Sequence, residues 1–150
     1  MNIAVGADHG GFILKQTVVD ELEKLGHHVI DSGAQELVPG DDYPDFARAV
    51  GAAIQRGEAE RGILTCGSGV GISIAATKMR GVRAAICHDT YSAHQGVEHD
   101  SMNVLCLGAR VIGEALAREL VRAFVAAQFS TEQRFQRRLN KVITIEHTEH

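Results

Sequence analysis

No stretch of the chain stays apolar long enough to cross a bilayer. The opening Met1-Asn2-Ile3-Ala4-Val5 lacks the basic start and extended apolar core of a secretory signal. A cytoplasmic protein is therefore expected. Tryptophan is absent and aromatic residues make up 5% of the sequence, too few to interleave with basic residues as a platform for stacked bases. With a net charge of −4, general affinity for nucleic acid or for an anionic membrane surface is not expected. The three cysteines, Cys66, Cys87 and Cys106, are an odd and widely spaced set, poor material for a disulfide framework and suited to a reducing compartment. Neither H-E-x-x-H nor paired C-x-x-C occurs, so no metal site is expected. Internal repeats, linkers and low-complexity tracts are missing as well.

What remains is an ordinary globular composition of 150 residues, 45% hydrophobic and 23% charged, the size of one domain with a proper core. Short apolar runs alternate with amphipathic segments. Strands are expected at Ile3 to Ala7, His28 to Asp31, Gly62 to Cys66, Arg83 to Cys87 and Asn103 to Leu107. Leu14, Val18, Leu22 and Leu25 repeat at helical spacing, with Gly26 where a C-terminal cap belongs. Asp45 is placed to cap a helix carrying Phe46, Val50 and Ile54 and ended by Gly57, and Leu116, Leu120 and Phe124 mark another helix. This β-α repetition predicts an α/β fold, a parallel sheet covered on both faces.

The strand-like Gly62-Ile63-Leu64-Thr65-Cys66 runs into Gly67-Ser68-Gly69-Val70-Gly71 and then into helix-like Ile72 to Met79. A thiol therefore stands where a strand stops and a helix starts. A glycine-rich turn there aims backbone N–H groups inward, and the helix N-terminus adds donors and partial positive charge. Such a cradle suits an oxyanion or enediolate and favours a cysteine thiolate. The spacing fits neither the G-x-x-x-x-G-K-[ST] of nucleotidases nor G-x-G-x-x-G. On spacing alone, a structural turn with a buried cysteine is an equally good reading.

Parallel sheets bind ligands beyond the carboxyl ends of their strands. Just past the expected strands lie Asp8 and His9, Cys66 with its loop, His88 and Asp89, and Arg110. Asp8 also has a plain alternative as the cap of a helix starting near Gly10. His99 is expected in a polar loop before the last strand, with Asp100, Ser101 and Asn103 available to fix its tautomer. His27, His28, His94, His147 and His150 read as solvated or structural. Arg134 and Arg138, four apart on one helical face, are able to grip one dianion, against the alternative of a solvated basic face.

Asp8-His9-Gly10-Gly11, Asp42-Tyr43-Pro44, Cys66-Gly67-Ser68-Gly69-Val70-Gly71-Ile72, Asn103-Val104-Leu105 and Gly108-Ala109-Arg110, in this order, resemble the ribose-5-phosphate isomerase B family, which includes allose-6-phosphate and galactose-6-phosphate isomerases. The resemblance covers nearly the whole chain. It implies a three-layer α/β/α sandwich around a five-stranded parallel Rossmann-like sheet. The implied activity is aldose–ketose isomerisation of a sugar phosphate without cofactor or metal, with Cys66 as base, His99 opening the sugar ring and Ser68 orienting or polarising Cys66. Gly67, Ser68, Gly69, Val70 and Gly71 are implied to hold the enediolate oxygens, Asp8 and His9 the sugar hydroxyls, and Tyr43 a pocket wall. Arg110, Arg134 and Arg138 are implied contacts to substrate and phosphate. A homodimer, or a dimer of dimers, is implied, with the segments around His99 and Arg134 to Arg138 reaching the partner's site.

Two departures from that pattern bear on the substrate. Asp100 stands where relatives often have asparagine, bringing negative charge toward an enediolate. Phe135 follows Arg134 where relatives often have histidine. A four-carbon or six-carbon sugar phosphate is the alternative substrate, and a non-catalytic sugar-phosphate sensor the alternative class.

Overall fold

In the computed structural model, which describes residues 1–149, five strands alternate with helices from the first residues onward. The strands are β1 (Asn2–Ala7), β2 (His28–Asp31), β3 (Arg61–Cys66), β4 (Ala84–Ile86) and β5 (Val104–Gly108). Helices α1 (Phe12–Lys24), α2 (Tyr43–Gln55), α3 (Val70–Thr77), α4 (Thr90–Asp100) and α5 (Glu114–Ala126) follow them in turn, and α6 (Gln133–Glu149) comes last. All strand pairs are parallel, in the order β2-β1-β3-β5-β4. The chain thus winds one way from β1 to β2 and the other way from β3 onward, which opens a crevice beyond β1 and β3.

Alternation along the central strands divides the apolar side chains between two layers. Ile3, Val5, Ile63, Leu105 and Leu107 pack with Leu14, Val18 and Leu22 of α1, Ala93 and Val97 of α4, and Leu120 and Phe124 of α5. Ala4, Leu64, Cys66, Val104 and Cys106 face the other way, against Ala47, Val50 and Ala53 of α2 and Ile72 and Ala76 of α3. The result is an α/β/α sandwich. Burying each of the larger aliphatic side chains contributes about 1.5–3 kcal/mol, so these two layers dominate stability. Lys15 is fully buried but satisfied: its Nζ donates to Asp31 Oδ1 and to the Ala34 carbonyl.

Register brings the strand ends level. Ala7 pairs with Thr65 and Cys66 with Gly108, so the loops leaving β1, β3 and β5 meet on one edge. The Thr65 hydroxyl donates to the Gly11 carbonyl at 2.8 Å, Ala109 N–H donates to the Cys66 carbonyl, and Arg110 N–H to the Gly67 carbonyl, both at 2.9 Å.

Two local expectations need correction. Asp42, not Asp45, occupies the N-cap of α2, because Pro44 falls in the first turn, where its missing N–H costs nothing; Asp45 lies inside that turn. His99 is not in a loop but in the last turn of α4. Ser101 takes the left-handed conformation that closes this helix, at φ 53°, a place more often held by glycine, so the sequence carries no obvious stop signal. His150 lies outside the described residues. Among those residues, no helix is long and apolar enough to cross a membrane.

Candidate active site

A cleft of about 320 Å³ opens where β1 and β3 end, lined by Asp8, Tyr43, Cys66, Gly67, Ser68, Gly71, Arg110 and Val111. Cys66 closes β3 and is 5% exposed. Its Sγ accepts a hydrogen bond from the Gly69 N–H at 3.1 Å, and the Ser68 Oγ accepts one from the Val70 N–H at 3.1 Å. Gly69 sits at the N-cap of α3 with φ 82°, a conformation that strains any residue bearing a Cβ. Gly71 is needed for space instead. A Cβ there would lie 2.8 Å from the Tyr43 ring, which forms the cleft wall. Arg110 lies across Gly67, its side-chain atoms 3.6 Å from where a Cβ would stand. Val70 begins α3 and is exposed.

Asp8 is buried, and its Oδ1 accepts from the Gly11 N–H at 3.1 Å, tying the loop after β1 to the start of α1. His9 is half-exposed and lines an adjoining cavity of about 380 Å³, which it shares with Arg110. A single oxygen, Asp41 Oδ1, accepts both the His9 backbone N–H at 2.8 Å and its ring Nδ1 at 2.7 Å. This hydrogen bond raises the His9 pKa above its ordinary value, aided by the charges of Asp8 and Asp41 and opposed by burial. Asp8, His9 and Asp41 each offer a donor atom within 4.8 Å of the others. Hydrogen bonds join His9 to Asp41, whereas Asp8 is bonded to the Gly11 N–H instead.

A second group forms elsewhere. At the end of α4, His99 Nδ1 lies 2.9 Å from Gln95 Nε2, and its ring stacks on Phe135 of α6, with centroids 4.1 Å apart and planes 10° from parallel. The guanidinium carbon of Arg134 lies 4.5 Å from the Phe135 centroid, and that of Arg138 5.8 Å. Arg134 Nε also donates to Glu132. Asp100 lines a groove with β4 and with Val142, Ile145 and Glu146 of α6. His99, Arg134 and Arg138 are therefore gathered around Phe135, Asp100 faces a separate groove, and none of the four lines the cleft that holds Cys66.

Other strand-end residues have structural duties. His88 Nε2 accepts from the Gly108 N–H at 3.0 Å, and its pKa is lowered by burial. Asp89 caps α4 by accepting from the Ser92 N–H at 2.7 Å. Burial pushes the Cys87 thiol up to about 11 and the Cys106 thiol well above the usual range, so neither suits proton transfer near neutrality. Three contributors escaped the sequence reading. Val111 is an ordinary apolar residue, and Asp41 is one of two adjacent aspartates with nothing to single it out. Gln95 carried the one usable signal, a spacing of four from His99, which becomes meaningful only once that histidine is known to be helical.

The cleft thus joins a thiol, a hydroxyl and backbone donors at a helix N-terminus, with an arginine across it. Such donors stabilise oxygen charge that develops during proton transfer. Known proteins carry closely similar chains. Ribose-5-phosphate isomerase B of Escherichia coli is 45% identical over 96% of this chain and 95% of that protein. A D-erythrulose-4-phosphate isomerase of Pectobacterium atrosepticum is 43% identical over 86% of this chain and 85% of that protein. Ribose-5-phosphate isomerase B of Mycoplasma genitalium, whose crystal structure holds bound ribulose 5-phosphate, superposes with a TM-score of 0.91 at 36% identity, covering 98% of this chain and 97% of that one. The family model described as Ribose/Galactose Isomerase matches residues 3–142, and the chain belongs to that family.

Proposed function

We propose that the chain interconverts an aldose phosphate and its ketose through a cis-enediolate, with ribose 5-phosphate and ribulose 5-phosphate, or a close analogue, as the pair. The observation that carries this reading is the position of Cys66, a thiol lining the cleft whose sulfur accepts from the N–H of Gly69 at the N-cap of α3. As thiolate, Cys66 takes the proton from the carbon beside the carbonyl and returns it to the neighbouring carbon on the same face. The N–H groups of the Gly67–Gly71 turn, with Ser68, hold the oxygens while they carry negative charge. Binding of the remote phosphate by arginine fixes the reacting carbons against the sulfur. Neither hydride carrier nor metal is needed for this step.

One protomer supplies only part of the site. His99, to open the ring, and Arg134 and Arg138, to hold phosphate, come in this proposal from a second copy in a homodimer. The exposure of α6 supports this, since Phe135 is the one buried residue along its 17-residue length. Val142 and Ile145 on the same helix are apolar and half-exposed or more. Mixing Cys66→Ala with His99→Ala under subunit exchange restores activity through hybrid sites on this reading. Demonstrated exchange with no recovery refutes the shared site.

The substrate is decided by measuring turnover of four-, five- and six-carbon aldose and ketose phosphates side by side. A four-carbon substrate is the second reading, favoured by the similarity to the Pectobacterium atrosepticum relative, which is named a D-erythrulose-4-phosphate isomerase. Failure to turn over any of these sugars, with binding retained, would leave a sensor rather than an enzyme.

A further inference from the structure

Asp41 does not line the Cys66 cleft, yet it makes the closest polar contacts to His9. Its side chain is 14% exposed, and Oδ2 is buried with no hydrogen-bond partner among the described residues. A carboxylate so placed demands a compensating charge nearby. The group that meets it is the His9 ring, 2.7 Å away. Because a carboxylate only accepts, the proton on this hydrogen bond sits on Nδ1, and Nε2 alone is left for a ligand. A neutral ring would then offer Nε2 as an acceptor, whereas a charged ring offers it as a donor.

His9 is 37% exposed at its side chain and lines its cavity together with Arg110, whose own side chain crosses into the Cys66 cleft. Two cations at one junction suit an anion. We propose that Asp41 is a positioning residue of the substrate site, holding His9 charged and oriented so that its Nε2–H donates to the phosphate group bound beside Arg110 rather than to a sugar hydroxyl. This rests on the sugar-phosphate reading above. The charged groups facing the ring are Asp41 from the loop before α2, Asp8 from its own loop, and Arg110 and Glu114 from the segment after β5. The first two favour the charged ring, and the net direction of the His9 pKa is upward. Because the pKa is raised, the charged ring persists to higher pH than in a free histidine, and anion binding weakens only as pH rises past that raised value.

Asp41→Asn separates charge from geometry, since the amide oxygen still accepts from His9 while the negative charge is gone. The test follows His9 by NMR titration in the free protein, with His9→Asn identifying the resonance. Inorganic phosphate affinity and KM for the best sugar phosphate are measured across the same pH range. In Asp41→Asn the His9 midpoint is expected to fall, and the alkaline loss of phosphate affinity to move down with it. Where only the unmodified protein keeps the ring charged, the variant's KM is expected to rise by up to about tenfold, with the loss in KM rather than in kcat. An unchanged His9 midpoint overturns the proposal. So does a lowered midpoint with unaltered pH dependence of phosphate binding and KM. A third measurement needs no variant: at alkaline pH the neutral ring must carry its proton on Nδ1, and an Nε2–H tautomer overturns the assignment. Absence of isomerase activity toward every sugar would remove the functional reading itself, while the NMR and inorganic phosphate arms still decide the role of Asp41.

Discussion

Gly108→Ala applies one methyl group to the point where β5 supports the cysteine loop. A Cβ at Gly108 would lie 2.5 Å from the Ser68 carbonyl oxygen, 2.6 Å from its carbon and 2.9 Å from its Cα. These are backbone atoms, so no rotamer relieves the contact. The loop must retreat by at least about 0.5 Å to reach even the tightest normal approach of 3.0 Å. Cys66 pairs with Gly108 in the sheet, and Ala109 N–H and Arg110 N–H hold the Cys66 and Gly67 carbonyls. Retreat therefore strains the hydrogen bonds that place the thiol. Overpacking of this kind costs about 1–3 kcal/mol. In a chain of this size, that lowers the Tm by roughly 2–12 °C. Misplacing a reacting group by about 1 Å is worth on the order of a hundredfold in rate, so kcat should fall more than tenfold. Thermal unfolding at fixed protein concentration reads the first effect, and initial rates at saturating sugar phosphate the second. Gly113→Ala is the control, because nothing lies within 4 Å of its added Cβ. A Gly108→Ala protein with unchanged Tm and kcat would refute the close-approach argument.

Further expectations concern other parts of the molecule. Cys66 is the thiol expected to react first with an alkylating reagent, because it lines the cleft while burial disfavours the Cys87 and Cys106 thiolates; mass mapping of the first-modified cysteine checks this. Hydrogen bonds from Arg122 and Arg118 hold the Glu21 carboxyl below its usual range, so this group adds stability above pH 4.5 that is lost as pH falls through the lowered value. Glu21→Gln should accordingly lower Tm near neutrality, with the deficit closing in acid, as calorimetry at a series of pH values would show. Asp100→Asn removes a negative charge beside His99 and should raise kcat/KM for ribose 5-phosphate by about tenfold if repulsion of the enediolate limits that substrate.

Much of the architecture was legible because its signals are local. Apolar runs bounded by Gly and Asp marked β1, β2 and β3 to within a residue, and the Leu14–Val18–Leu22 spacing marked α1. The Cys66 loop stood out because thiol, hydroxyl and glycines are contiguous. What the sequence hid depends on contacts between distant segments. Tyr43 against Gly71, Arg110 across Gly67 and Asp41 on His9 are separated along the chain by about 28 to 43 residues, and no spacing rule links them. His99 reads as a loop residue from the sequence because α4 ends on Ser101 rather than glycine, and its polar last turn has no apolar periodicity. The pairing of His99 with Phe135 likewise required knowing that the start of α6 lies against the end of α4.

The central claim is that Cys66 moves the proton, and Cys66→Ala tests it most directly. Sugar-phosphate affinity by calorimetry and the isomerisation rate are measured on the same preparation. A positioned base is worth about 10²–10⁴ in rate. The account predicts a loss of that size or greater in Cys66→Ala, with binding affinity changed only slightly because the phosphate contacts are intact. Turnover near that of the unmodified protein would contradict the assignment and return Cys66 to the role of a buried turn residue.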